Sequence, residues 1–410
     1  MEKREQKGGH TGMSQTNKAE KIWNLLSAIA VKMNSRGNRT NKNIWVFGEW
    51  FGRKCNDNCM YFANYLAEVH PEIKLIWIAN KGVDTSRLNN KIKVCEMNTA
   101  EAKHIISEAG VVVVGQGLRD LSSKGNNFFG NAVTVNLWHG IPWKKIGHSG
   151  SNMRGWAFLI YCYLYDYAFN CDCYVIPSDV FRPCYQSAFG AKNRNFILAG
   201  HPRNTVLYDK RFHIKSRSGL TEKINMDSDT KIIAYMPTFR DTRENTFSFS
   251  SLADNRKLTK ILEKYNAVIV EKAHFVNQER HSKATEVLGR VFILKDWDAQ
   301  SLLAAADILI TDYSGASFDY LLLDRPVQYY LYDYQFYRDN DRGLYFSKEE
   351  VAAGDVAVNE EMLISDIEKN LKEPCRHQDL RGQMRSKYMC YDSAENNEII
   401  YKQIQEKLSQ

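Results

Sequence analysis

Asp307–Phe346 reads DILITDYSGASFDYLLLDRPVQYYLYDYQFYRDNDRGLYF: a strand, a sharp turn, a helix and a second strand, then an acidic and aromatic loop. Ile308 to Ile310 is a short apolar run with β-branched members, the pattern of a buried parallel strand. Asp312 and Ser314 bring turn and N-cap chemistry, and Ser314 is placed to cap a helix running to about Leu323. Phe318, Leu321 and Leu322 give that helix an apolar face, and Asp324-Arg325-Pro326 stops it. A strand end followed by a helix start rich in small hydroxyl residues suits an anion, because free N–H groups and the positive end of the helix dipole point there. Phosphate is the expected guest.

The same alternation runs outward in both directions. Strands are expected at Ile44–Phe47, Ile73–Ala79, Val111–Val114, Ala132–Leu137, Tyr174–Ile176 and Phe196–Leu198, with helices near Asn58–Glu68 and Thr99–Glu108. After a polar stretch, residues 209–230, it restarts with strands at Ile232–Met236, Ala267–Glu271 and Val291–Leu294 and helices at Leu252–Lys264 and Gln300–Ala306. This predicts an α/β protein of two Rossmann-like lobes with a cleft at the carboxyl ends of the strands. The expected division is a basic head with an amphipathic helix (1–41), an N-terminal lobe (42–208), a linker (209–230), a C-terminal lobe (231–392) and a last helix (393–410) that crosses back to brace the first lobe. A length of 410 residues favours two cores over one.

Composition is that of a globular chain, 44% apolar and 25% charged. A net charge of +7 is too small to argue for nucleic acid but suits anionic substrates or an anionic membrane surface. Nine cysteines show no framework or zinc spacing, so reduced thiols are expected. The polar N-terminus lacks an apolar signal region, and no run reaches the roughly 18 apolar residues of a membrane span. The expectation is a cytoplasmic protein peripheral to the membrane. Two segments are candidates for lipid contact. Ile22–Met33 puts Ile22, Leu25, Leu26, Ile29 and Ala30 on one face, and reads either as a surface helix on the body or as a lipid-facing one. Tyr161–Tyr174, with Trp156 and Phe158 just before it, is apolar nearly all round as a helix, broken by Asp166, and reads either as a buried helix or as a membrane surface aided by Lys144 and Lys145.

Residues suited to chemistry sit at strand ends. His139 follows a buried strand and is held by Gly140 and Pro142, a place where a neutral imidazole can accept a proton. Arg203 follows the last strand of the first lobe and could fork onto phosphate or pair with an acid at the lobe boundary. In the second lobe three strand ends deliver Thr238, Phe239 and Arg240, then Lys272 and His274, then Asp312, Ser314, Gly315, Ser317 and Asp319. Donors and cations converging on one spot suit a pyrophosphate. No metal-ligand set is evident, so no cofactor is required, although Mg²⁺ is compatible.

Taken in order, WHGIPWKKIG (138–147), GHPRN (200–204), YMPTFRD (235–241), KAHF (272–275) and DYSGASFDY (312–320) through RGLYF (342–346) resemble the CDP-glycerol glycerophosphotransferases of teichoic acid and capsule synthesis. That family's forms are close to WHGTPLKKLG, GYPRND, YAPTWRD, RPHP and DYSSVMFDY. The resemblance implies a GT-B-like fold with the nucleotide donor on the C-terminal lobe. It implies His139 as the base for an acceptor hydroxyl, and transfer of glycerol phosphate from CDP-glycerol to a lipid-linked or polymeric glycan acceptor with release of CMP. His274, Arg203, Thr238, Arg240, Ser314, Ser317 and Asp319 would hold the donor. Alternatives are a CDP-ribitol donor or a sugar-nucleotide glycosyltransferase. The chain departs from the pattern at His201, Phe239, Lys272-Ala273 and Gly315.

Overall fold

The computed structural model describes residues 18–124, 128–151, 155–238, 247–272, 285–295, 297–340 and 343–409. The first lobe is built on a seven-stranded sheet of β1 (Asn41–Gly48), β2 (Lys74–Ala79), β3 (Lys93–Glu96), β4 (Ala109–Val114), β5 (Val133–Asn136), β6 (Cys173–Ile176) and β7 (Phe196–Leu198). Its order is β3-β2-β1-β4-β5-β6-β7, parallel throughout. The second sheet holds β8 (Lys231–Met236), β9 (Ala267–Lys272), β10 (Thr285–Leu288), β11 (Val291–Leu294), β12 (Ile308–Thr311), β13 (Val327–Tyr330) and β14 (Val356–Ala357). Here the order is β10-β11-β9-β8-β12-β13-β14, with β10 alone antiparallel. Two doubly wound sheets give the α/β, GT-B-like architecture that the alternation predicts.

Continuous apolar runs such as Val111–Val114 and Ile308–Ile310 are wholly buried because helices cover both faces of a parallel sheet. In each sheet the strand order reverses once, between β1 and β4 and between β8 and β12. Connections leave such a point in opposite directions and open a crevice at the strands' carboxyl ends.

Several expectations change. Within the stretch read as a linker, residues 209–230, Lys210–Ile224 is a helix, capped by Asp209 and ended by Asn225 in the left-handed region. Only Ser216, Leu220, Thr221 and Ile224 of it are buried, a stripe too narrow to stand out in so charged a sequence. The Asp312–Leu323 turn forms a helix only over Ala316–Leu321. Gly315 is its N-cap residue, and the Ser314 hydroxyl, one position earlier, accepts the Ala316 N–H at 3.3 Å. The Trp156–Phe169 helix is not a buried one, since Ala168 is its sole fully buried residue. Leu25 and Ala28 of the first helix, Lys18–Ser35, pack on Ala168 with Tyr161, Leu164, Tyr165 and Phe169. The final helix, Asn396–Ser409, does cross back. Gln403 bonds the backbone of Leu198, and Ile400 and Ile404 join the first lobe's core.

Candidate active site

His139 sits where the first sheet's switch point meets the second lobe. Asn136 ends β5 and accepts the Trp138 N–H through its side chain at 2.8 Å. Trp138 has φ +54 and Gly140 φ +140. A tryptophan in the left-handed region is strained by about 1–2 kcal/mol and persists only where its surroundings hold it. Asn58 supplies one holder, donating to the Trp138 carbonyl at 2.7 Å, and Arg203 Nη1 donates to the His139 carbonyl at 3.0 Å. The ring lies between the indoles of Trp50 and Trp138, with centroids at 5.6 and 4.4 Å. Burial pushes His139 down to about 4, with Asp57 opposing and Arg203 and Lys144 assisting. The imidazole is therefore neutral at physiological pH, and Nδ1 has no hydrogen-bond partner among the described residues.

The loops beside it are fixed by buried acids that sequence reading did not flag. After β1, Trp50, Phe51 and Gly52 all have positive φ, and Asp120 accepts the N–H groups of Phe51, Gly115 and Gln116 at 2.7–2.9 Å. Glu49 accepts those of Asn56 and Asp57. Burial, then the neighbouring Asp57, pushes Glu49 up to about 8 in spite of these donors. Burial likewise pushes Asp120 up to about 6. The signal for Asp57 was its place as N-cap of the helix Asn58–Val69, ahead of an apolar run. A carboxyl raised in the folded state stabilises below its ordinary range and loses that contribution as pH climbs through its folded value. Glu49→Gln should accordingly lose about 2 kcal/mol less stability than the parent between pH 6 and 8, read by chemical denaturation at both pH values. Equal losses would show Glu49 to be charged throughout.

On the second lobe β9, β8 and β12 are adjacent, so the three predicted strand ends stand side by side. Thr238 donates its N–H to Asp312 at 2.9 Å, and its hydroxyl donates to the same carboxylate. These two close the β8/β12 switch point, and Lys272 ends β9 next to them. Ser314 stays partly accessible. Ser317 and Asp319 face inward: the Ser317 hydroxyl donates to the Ser314 carbonyl at 2.9 Å, and Asp319, 1% exposed, pairs with Arg203 at 2.7 Å. Arg203 is also paired with Asp57 at 2.8 Å, so the second of its two sequence readings, an acid at the lobe boundary, describes its contacts. Phe239, Arg240 and His274 lie outside the described residues. Among the described residues, no group of three His, Cys, Asp or Glu side chains is placed to hold a metal ion.

The two most informative sequence segments meet across the cleft. Lys145 N–H donates to the Gly343 carbonyl at 3.0 Å, Tyr345 N–H to Trp143 at 2.9 Å, and the Trp143 indole to Phe346 at 2.8 Å. Trp143 packs edge-on to Tyr313 and Tyr329. A Cβ on Gly315 would stand 3.0 and 3.1 Å from the Ile141 backbone. Gly315 has ordinary helical φ, so its small size serves close approach of the lobes and not an unusual dihedral. Pro142 lies within this junction.

With that geometry in place, comparison with known proteins is decisive about kinship. The family described as CDP-glycerol:poly(glycerophosphate) glycerophosphotransferase matches over residues 29–406. A teichoic acid glycerol-phosphate transferase of Staphylococcus aureus is 27% identical over 335 residues, 80% of this chain and 84% of the relative. A teichoic acid poly(glycerol phosphate) polymerase of Bacillus spizizenii is 30% identical over 253 residues, 58% of this chain and 61% of the relative. The solved structure of the wall teichoic acid polymerase TagF superposes with a TM-score of 0.76 at 21% identity, covering 96% of this chain and 99% of that one, which establishes a shared fold. By sequence, the chain belongs to the CDP-glycerol:poly(glycerophosphate) glycerophosphotransferase family.

Proposed function

We propose that this protein transfers glycerol phosphate from CDP-glycerol to a hydroxyl of a growing teichoic acid polymer, releasing CMP. The observation that carries the reading is a neutral histidine, buried beside the loops after β1 and β4 and next to the Gly140-Ile141 turn that meets Gly315 of the other lobe. The acceptor oxygen attacks the phosphorus that bears glycerol, His139 takes the hydroxyl proton, and the bond from that phosphorus to the CMP oxygen breaks. CMP leaves with the electron pair. Charge gathering on the phosphoryl oxygens is met by Lys272, the Thr238 and Ser314 loops and, by family resemblance, Arg240 and His274. The same residues are assigned the neutralising role, so EDTA dialysis is expected to leave CMP release unchanged. Loss of activity restored by Mg²⁺ would overturn that assignment.

The acceptor is taken to be lipid-linked and the enzyme to work at the cytoplasmic face of the membrane. No helix among the described residues is long and apolar enough to cross a bilayer. Support for peripheral attachment comes from two packed helices that keep a second apolar stripe outward. Trp156, Leu159, Ile160 and Tyr163 are exposed on one, and Ile22, Trp23, Leu26 and Met33 on the other. Spacing of i, i+3, i+4, i+7 on Trp156–Tyr163 is that of an interfacial helix.

A donor panel tests the whole reading. The protein with CDP-glycerol, CDP-ribitol and common sugar nucleotides, plus an acceptor lipid, should release CMP from CDP-glycerol and extend the acceptor by the mass of glycerol phosphate. CMP from CDP-ribitol alone would make it a ribitolphosphotransferase. Turnover of a sugar nucleotide alone would sink phosphoryl transfer altogether.

A further inference from the structure

We propose that Arg203 is a positioning residue that fixes the backbone of His139 when the two lobes are closed, and does not bind the donor's phosphates. Its Nη1 donates to Asp57 Oδ1 at 2.8 Å and to the His139 carbonyl at 3.0 Å. Nη2 donates to Asp319 Oδ2 at 2.7 Å. Asp57, His139 and Arg203 belong to the first lobe, and Asp319 to the second, so one planar guanidinium spans the lobe boundary and reaches the base's own peptide. A single cation between two carboxylates carries no spare positive charge, and a phosphate arriving there would meet a net negative site. Its backbone is tied down too, with the Arg203 N–H donating to Asn58, the residue that grips Trp138. A Cβ at Gly140 would come 3.2 Å from Nη2, so the turn holding His139 is fitted around this side chain.

Three separated acceptors need a rigid fork. Lysine keeps the charge but, as a point cation on a flexible stem, cannot serve Asp57, the His139 carbonyl and Asp319 together. Of these three acceptors only Asp319 lies on the second lobe, so its carboxylate ties the fork, and through it the His139 peptide, to the lobe contact.

The proposal rests on His139 as the base, and the experiment separates the two. CMP release and CDP-glycerol binding by calorimetry are measured on the full chain, with melting curves to check folding. Arg203→Lys should lower kcat at least about 50-fold while Kd for CDP-glycerol stays within about threefold. A tenfold or larger rise in Kd with kcat preserved would make Arg203 a phosphate ligand and overturn the proposal. If Arg203→Lys fails to fold, Asp319→Asn carries the same expectation and the same refutation. The acid limb of kcat/KM provides a readout that a merely structural role would not move. His139 is faced by Asp57 from the helix start, Arg203 from the loop after β7, Lys144 from its own segment and the neighbouring His201. Arg203→Gln should therefore move the limb to higher pH, Asp57→Asn to lower pH, and Arg203→Lys should leave it in place. Limbs that do not respond overturn the proposal, whereas a parent protein that releases no CMP from CDP-glycerol faults the proposed function instead.

Discussion

His139→Ala is expected to cut kcat for CMP release by about 10³, with CDP-glycerol binding within threefold of the parent. The asymmetry follows from where things stand. The proposed donor contacts lie on β8, β9 and β12 of the second lobe, while His139 hangs from β5 of the first. Removing the imidazole takes away the proton acceptor and leaves those contacts whole. Flanked by two indoles, the free ring is held down at about 4, a weak base for a hydroxyl at neutral pH. Binding of the donor changes that balance, since pyrophosphate brings negative charge that favours the imidazolium. The acid limb of kcat, set by the bound complex, should then lie at least about one pH unit above that of kcat/KM, set by the free enzyme. In His139→Ala both limbs should vanish. Loss of CDP-glycerol binding together with turnover would instead make His139 a donor ligand.

What the sequence made legible is what is written locally. Buried parallel strands such as Val111–Val114 announce themselves by continuous β-branched runs, and His139 by a strand end meeting Gly-x-Pro. The edge strands β3 and β14 were not visible, because Lys93–Glu96 carries charges and Val356–Ala357 is two residues long. Partners far along the chain were equally hidden. Arg203 meets Asp57 and Asp319 across 146 and 116 residues, and nothing in GHPRN says which of an acid or a phosphate its fork will find. Gly315 stands where the family pattern has serine, and nothing local in the sequence says that the Ile141 backbone lies against it. The Trp156–Phe169 segment was ambiguous for another reason: composition reports how apolar a helix is, not whether the fold supplies enough neighbours to bury it.

That shortage of neighbours underlies the second large effect. Trp156 is 83% exposed and Trp23 73%, so replacing both with serine removes little packing and should leave the melting temperature unchanged. In vesicles of phosphatidylglycerol and phosphatidylcholine each tryptophan is worth about tenfold in partitioning, from burial of 1–2 kcal/mol of apolar surface, so the double variant should bind roughly 100-fold more weakly. Point substitutions are the better instrument than deletion of the N-terminal segment. Leu25 and Ala28 cover Ala168 and its neighbours, so deletion would bare a second apolar face and confuse loss of one contact with gain of another. Activity divides the same way: CMP release with a soluble, short-chain acceptor should persist, while extension of a membrane-embedded acceptor should fall with binding. Equal vesicle binding by parent and double variant would mean that the two stripes face something other than lipid, and the membrane assignment would fall with them.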